Sequence, residues 1–276
     1  MDRCHLQPAK LVLNLISIGL ASFNAKKEVP SDLSVDKLFI PPQNISTQTN
    51  LDQISKWTIQ NEMKINSDKS KYMIINFCQS FQFQTRLYIE NSMLEQVKQV
   101  QLLGVIISDD LTWHANTSMI TKKANKRMII LIKLSEFKVK IEDLLQIYKL
   151  FIRSVVETSC VVWSSSITKE EQILIERVQK TALKIIYKEK YTTYERALET
   201  SNLLSLSERR TTLTLRFAQK CIKSEKTKEM FPVNVMRSTR KTEKYNVIHA
   251  YTERLKNSAV PQMARQLNEV EITKKR

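Results

Sequence analysis

Glycine is almost missing from this sequence: Gly19 and Gly104 are the only two in 276 residues. A phosphate-cradling loop and a dinucleotide fingerprint each need several positions without a Cβ, so both kinds of nucleotide-binding fold are excluded. Histidine is scarce too, with His5, His114 and His249 alone, and Cys4, Cys78, Cys160 and Cys221 stand far apart. Neither set has the spacing of a zinc site, so no metal ligand is assigned, and the cysteines read as free thiols in a reducing compartment. Long apolar runs are lacking as well. Leu11 to Phe23 is too short to span a bilayer, holds Asn14 and has no clear small-x-small cleavage site, which argues against a secretion signal. Leu11, Leu15, Ile18 and Phe23 approach helical spacing, so this stretch is expected to be a buried amphipathic helix. The expected location is intracellular, in cytoplasm or nucleus, with no membrane partner and no obvious protein partner.

A hydrophobic content of 42% is enough for at least one buried core. The net charge of +16 is unevenly placed: residues 1–120 hold 11 Lys and Arg against 11 Asp and Glu, whereas residues 121–276 hold 33 against 17. A neutral front and a basic back imply two units with different tasks. Long-range attraction and counterion release would draw the second to a polyanion. Solvated lysine-rich helix faces give the same count locally, but an excess spread over more than half the chain favours nucleic acid.

Hydrophobic periodicity divides the chain the same way. Residues 25–48, with Pro30, Pro41 and Pro42, read as a loop, and Leu51, Ile54 and Trp57 mark a helix ending near Asn61. A strand is expected over Tyr72 to Phe77, then a hairpin turning at Glu90 and Asn91, then a strong strand from Val100 to Ile107. From Trp113 onward the period changes from two to about 3.6. Trp113, Ile120, Ala124, Met128, Leu131 and Leu134 line one helix face, with Lys122, Lys123, Lys126 and Arg127 on the rest. A second helix, Ile141 to about Val156, is apolar around much of its surface. Three more carry capping boxes, Thr168 with Glu171, Thr192 with Glu195, and Ser205 with Glu208. Beyond Pro232 the sequence is polar and basic, with one short helix expected around Asn246 to Leu255. The expected fold is an α+β N-terminal part with a small antiparallel sheet (1–111), an all-α bundle (112–231) and a basic, partly disordered tail (232–276).

Asn66, Asp68, Lys69 and Ser70 read as a turn running into a strand. The order ISKW, MKIN, DKSKYMIIN, a hairpin, LLGVIIS and DDLTWH, then a basic helix, resembles the reverse transcriptases of LINE-type (non-LTR) retrotransposons. The likeness continues through KKANKRM, VETSCVVW, ERVQKTALKII and RFAQKCIK, which resemble thumb and post-thumb helices, and so covers nearly the whole chain. The α+β part would then be a partial polymerase palm and the bundle a thumb. By this resemblance Lys69, with Asn66, falls on the palm lysine that assists phosphoryl transfer. Leu103 and Gly104 fall on the strand that grips the primer, and Lys122, Lys123, Lys126 and Arg127 on the thumb helix that faces template and primer. Gly104 has its own logic, because glycine inside a strand marks a close backbone approach.

The same resemblance implies an absence. Polymerases hold two metal ions between carboxylates, so that one activates the primer hydroxyl and the other neutralises the leaving phosphates. In the family those carboxylates precede the segment that LVLNLIS resembles; here MDRCHLQPAK stands there, with Asp2 its only acid. Asp109 and Asp110 lie on the wrong side of Gly104 and are expected to cap the helix at Trp113. His114 and Cys160 read as surface or packing residues. The expectation is a reverse-transcriptase remnant without polymerase activity and without a bound cofactor, Mg²⁺ belonging to the intact family enzyme. Two alternatives stand beside it: a non-specific nucleic-acid-binding module, and a longer reading frame in which Met1 is an internal start.

Overall fold

The computed structural model describes residues 12–20, 47–63, 65–76, 86–234, 243–250 and 252–274. Residues 1–10, residues 25–46 of the loop expected over 25–48, and Cys78 fall outside the described residues, and Thr47 and Gln48 already belong to a helix. The chain is α-rich with a few small sheets and forms two compact units, Met1–Thr112 and Trp113–Arg276.

In the first unit β1 (Val12–Leu20) pairs antiparallel with β2 (Ile65–Asn76), from Val12 opposite Asn76 to Leu20 opposite Ile65. The helix expected over Leu11–Phe23 is therefore a strand. A short apolar run has no period that separates the two, and the partner β2, far away in sequence, supplies the hydrogen bonds that decide it. α1 (Thr47–Gln60) buries Leu51 and Ile54 as expected, with Thr58 rather than Trp57 completing the face. Leu51 and Ile54 join Ile65, Tyr72, Leu87, Ile89 and Leu94 in one core. β3 (Tyr88–Ile89) and β4 (Ser92–Met93) form the expected hairpin about Glu90 and Asn91. The side chain of Gln48 on α1 closes the edge of β3: its amide donates to the Tyr88 carbonyl at 2.8 Å and its oxygen accepts from the Tyr88 N–H at 2.9 Å. β5 (Glu95–Gln96) runs parallel to β2, so the central sheet is mixed rather than antiparallel throughout.

The single strand expected from Val100 to Ile107 is two, β6 (Gln99–Leu102) and β7 (Val105–Ser108), joined by Leu103 and Gly104. Both turn residues have positive φ, 48° and 84°, the combination that matches the right-handed twist of a two-residue hairpin. The glycine is there for its conformation. A Cβ at Gly104 would meet nothing within 4 Å, so the close backbone approach expected from the sequence does not occur. Val100 and Ile107 pack instead against Met73 and Ile75 of β2.

In the second unit α2 (His114–Glu136) lies along α6 (Lys169–Tyr187), burying Ile120, Ala124, Met128 and Leu131. Polar ties hold both ends. Thr117 donates to Glu171 at 3.1 Å, and Ser135 donates to the Ile185 carbonyl at 3.1 Å, which makes the two helices parallel. The helix expected over Ile141–Val156 is interrupted. α3 (Ile141–Ile147) gives way to a π-helical turn, Tyr148–Arg153, and resumes as α4 (Ser154–Glu157). The extra residue in the π turn rotates the following face, so that Tyr148, Ile152, Val155 and Val156 all turn inward. α5 (Cys160–Trp163) follows a left-handed Ser159 and buries Trp163 completely.

Capping boxes open α6 at Thr168 and α8 (Leu206–Cys221) at Ser205, as their sequences indicate. The third box is displaced by one residue: α7 (Tyr194–Ser201) is capped by Thr193, whose hydroxyl accepts from the Arg196 N–H. The residues after Pro232 form no loose tail where they are described. α9 (Glu253–Lys256) is the remnant of the helix expected over Asn246–Leu255, and α10 (Ala259–Lys274) packs Met263, Ala264 and Leu267 against Ala218, Cys221, Phe231 and Tyr245. Asn268 completes the join by exchanging two hydrogen bonds with the backbone of Tyr245.

The Leu103–Gly104 turn gives a direct stability test. Gly104→Ala should lower the urea midpoint of the first unit by about 1 kcal/mol equivalent, because alanine resists a positive φ. Leu103→Asn should raise it, since asparagine followed by glycine is the preferred pair for this turn. A midpoint unaffected by both changes would contradict the turn.

Candidate nucleic-acid interface

The sequence motif around Lys69 forms a bulge inside β2. Pairing with β1 runs in register to Lys71 and resumes at Asn66, so residues 67–70 stand opposite Ile18 alone. Asn66 staples the bulge: its side-chain oxygen accepts from the Lys69 N–H at 3.0 Å and its carbonyl accepts from the Ser70 hydroxyl at 2.8 Å. Ser70 is buried, whereas Asp68 and Lys69 are exposed at the tip. Asparagine suits this position because its short side chain replaces the backbone partner that the bulge removes. Leu103, at the hairpin turn, is 76% exposed. Lys69, Leu103 and Gly104 belong to the first unit, and the basic helix α2 to the second.

On α2, Lys122, Lys123 and Lys126 are exposed. Their position follows from geometry: with 100° per residue, 122 and 126 lie on the side opposite buried Ala124. Among the described residues none of the three is in an ion pair. Arg127 differs from the expectation that groups it with them. It flanks the buried stripe, is half-buried, and donates from Nη1 to the Phe151 carbonyl at 2.6 Å. The π turn needs such help, and Ser154 likewise donates to the Leu150 carbonyl at 2.5 Å. Part of Arg127 is thus a fastener of the fold.

Three acids of the helical unit, Glu157, Glu171 and Glu176, are turned inward. Glu157 joins Arg153 and Arg209. Glu176 accepts from Tyr194 and, at 3.0 Å, from the Leu206 N–H. Glu171, only 5% exposed, closes its own capping box and holds Thr117. Asp110 does not cap α2: it accepts from the Thr112 N–H and hydroxyl, both at 2.9 Å, and the helix begins at Trp113 with no side-chain cap. An aspartate closing a turn onto the residue two ahead has no reach left for the helix. His114 is a surface residue with a side chain 81% exposed, lying 3.7 Å from Glu171. Cys160 is buried, and burial together with the Glu157 carboxylate pushes its thiol up to about 11, so it is a packing residue and a poor nucleophile.

The sequence reading passed over Arg210, which is 3% exposed. The signal was there: Leu206, Arg210, Thr214, Ala218 and Cys221 form the buried stripe of α8, and an arginine stands in it.

Comparison of the chain with protein-family models, with curated proteins and with solved structures gives no match. Among the described residues no helix is long and apolar enough to cross a membrane.

Two outcomes follow from these assignments. Arg127→Gln should lower the thermal midpoint, at a cost of about 1–2 kcal/mol for the orphaned Phe151 carbonyl, while Lys122→Gln, Lys123→Gln and Lys126→Gln together change it little. The raised thiol of Cys160 stays neutral in the folded chain while the unfolded chain ionises near its ordinary value of 9.0. The contribution of this thiol to stability is therefore fully present below pH 9 and is lost as pH rises from there to about 11. Urea midpoints across that window should fall less steeply for Cys160→Ala.

Proposed function

We propose that this chain is end-of-palm and thumb sequence of a LINE-type reverse transcriptase, and that its helical unit holds the sugar–phosphate backbone of RNA or DNA without reading sequence. The observation that carries the binding role is the exposed Lys122, Lys123 and Lys126, none of which is in an ion pair among the described residues. Lysine is a point charge on a flexible stem, suited to phosphates and indifferent to base edges. The palm and thumb assignment rests on the ordered motifs from ISKW to RFAQKCIK. In this reading Lys69, held at the tip of its bulge by Asn66, occupies the place of the palm lysine, and the Leu103–Gly104 turn that of the primer grip. No catalytic step is assigned to the chain itself. Two-metal transfer needs carboxylates converging on one point, and Asp110 is spent on Thr112.

Fluorescence anisotropy with labelled duplexes of unrelated sequence tests the binding. Affinity should fall steeply with salt for every duplex alike. Neutralising the three lysines to glutamine should reduce the slope of log K against log salt by about 2–3. An unchanged slope would refute the assignment of this face. In primer extension with Mg²⁺ the chain should incorporate no nucleotide, and incorporation lost in Lys69→Ala would overturn the non-catalytic reading.

A further inference from the structure

A polar cleft of about 270 Å³ opens in the helical unit among the α5–α6 connection, α6, α8 and α10. Its lining holds hydroxyl and amide side chains and a single charge, Arg210, with no acid. Arg210 and Gln266, 3% and 9% exposed, form its floor with Thr214. Exposed Gln172 and Thr211 stand at the rim.

Three buried polar atoms in this one cleft have no partner among the described residues: Arg210 Nη1, Gln266 Oε1 and Ser165 Oγ. Nor is Arg210 in any ion pair among them. An unpaired buried guanidinium is among the costliest groups a core can hold, and three unsatisfied atoms at one place require a common explanation. The nearby carboxylates of Glu176 and Glu157 favour the charge of Arg210, but their hydrogen bonds go elsewhere: Glu157 is bonded to Arg153 and Arg209, and Glu176 to Tyr194 and the Leu206 N–H. Arg210 is thus partly balanced by these charges, while its Nη1 makes no hydrogen bond among the described residues.

We propose that this cleft binds the phosphate group of a small molecule, with Arg210 as the anion anchor and Ser165 and Gln266 engaging the oxygens and hydroxyls attached to it. A guanidinium fork matches phosphate geometry in two parallel hydrogen bonds. Ser165 donates to a phosphate oxygen, and Gln266 Oε1 accepts from a hydroxyl or from a protonated phosphate oxygen. The cleft is larger than a bare phosphate needs, which favours a phosphate monoester over the free ion. This site is separate from the α2 lysines, and the proposal stands or falls independently of nucleic-acid binding by them.

Isothermal titration calorimetry on the full chain with inorganic phosphate, adenosine monophosphate and adenosine tests it. Phosphate and the monophosphate should bind with Kd at or below the millimolar range, and adenosine should not; tighter binding of the monophosphate identifies the ester as the source. Arg210→Met should weaken binding at least about tenfold. It should also raise the thermal midpoint without ligand, because it removes an unpaired buried cation. Thr211→Trp, a change at the exposed rim, should block binding with folding intact, so the test survives if Arg210→Met fails to fold. The triple lysine variant should bind as the parent does. No heat with either phosphate compound up to about 10 mM would overturn the proposal. So would binding that survives Thr211→Trp or is lost with the lysines.

Discussion

The seating of α2 on α6 governs the rest of the helical unit. Ile120, Ala124, Met128 and Leu131 recur at intervals of four and three residues, and Ala124 and Leu131 are wholly buried. An alanine at the centre of the contact lets the two backbones approach closely, and a helix cannot rotate part of itself independently. Once that stripe is down, Lys122 and Lys126 are carried to the opposite side and Lys123 to the flank. The ties at each end, Thr117 to Glu171 and Ser135 to the Ile185 carbonyl, prevent sliding as well as rotation. Lys188 adds to the second tie by donating to the Ser135 carbonyl at 2.7 Å. A basic surface of fixed orientation is therefore a product of apolar packing.

The interior of this unit is unusually polar. Tyr148 donates to Gln179 at 2.5 Å, and Gln179 donates in turn to Tyr194 and to the Leu204 carbonyl, both at 2.9 Å. Tyr194 continues to Glu176. Burial pushes the Tyr148 and Tyr194 hydroxyls well above their ordinary range, so both remain donors at neutral pH. Such a chain fixes the rotation of α6 against the π turn and α7, because a shift of one position would strand several buried polar groups at once. It also draws Glu176 inward.

How far the sequence reached varies from element to element, and the reasons are physical. The capping boxes at Thr168 and Ser205 were legible because a cap is local: hydroxyl, helix start and glutamate lie within four residues. At Thr192 and Thr193 two adjacent hydroxyls compete, and the local pattern cannot choose between them. The α2 stripe was legible because a 3.6-residue period persists over its length. The strand β1 was not, since its run of aliphatic residues fits either period and its partner is β2, some fifty residues on. At Leu103 and Gly104 the apolar residues on both sides concealed a reversal that only the positive φ values disclose. The helix α10 was masked by its charged and amide-rich surface, although Val260, Met263, Ala264 and Leu267 carry the spacing. The candidate lysines were legible by composition. Arg127 was misgrouped, because its bond to the Phe151 carbonyl depends on a π turn elsewhere in the chain.

By itself the sequence determined the charge asymmetry, the change from mixed structure to helices near Trp113, the caps, and the side of α2 on which the lysines lie. All of these depend on neighbours within a turn or two of helix or on simple sums along the chain. Only the tertiary structure decided that the aliphatic run before residue 21 is a strand, that residues 67–70 bulge from β2, and that Glu157, Glu171 and Glu176 are turned inward. It alone brought Ser165, Arg210 and Gln266 to one cleft. Those outcomes depend on which distant segments meet, and hydrogen-bond satisfaction among buried groups becomes specified only when they do.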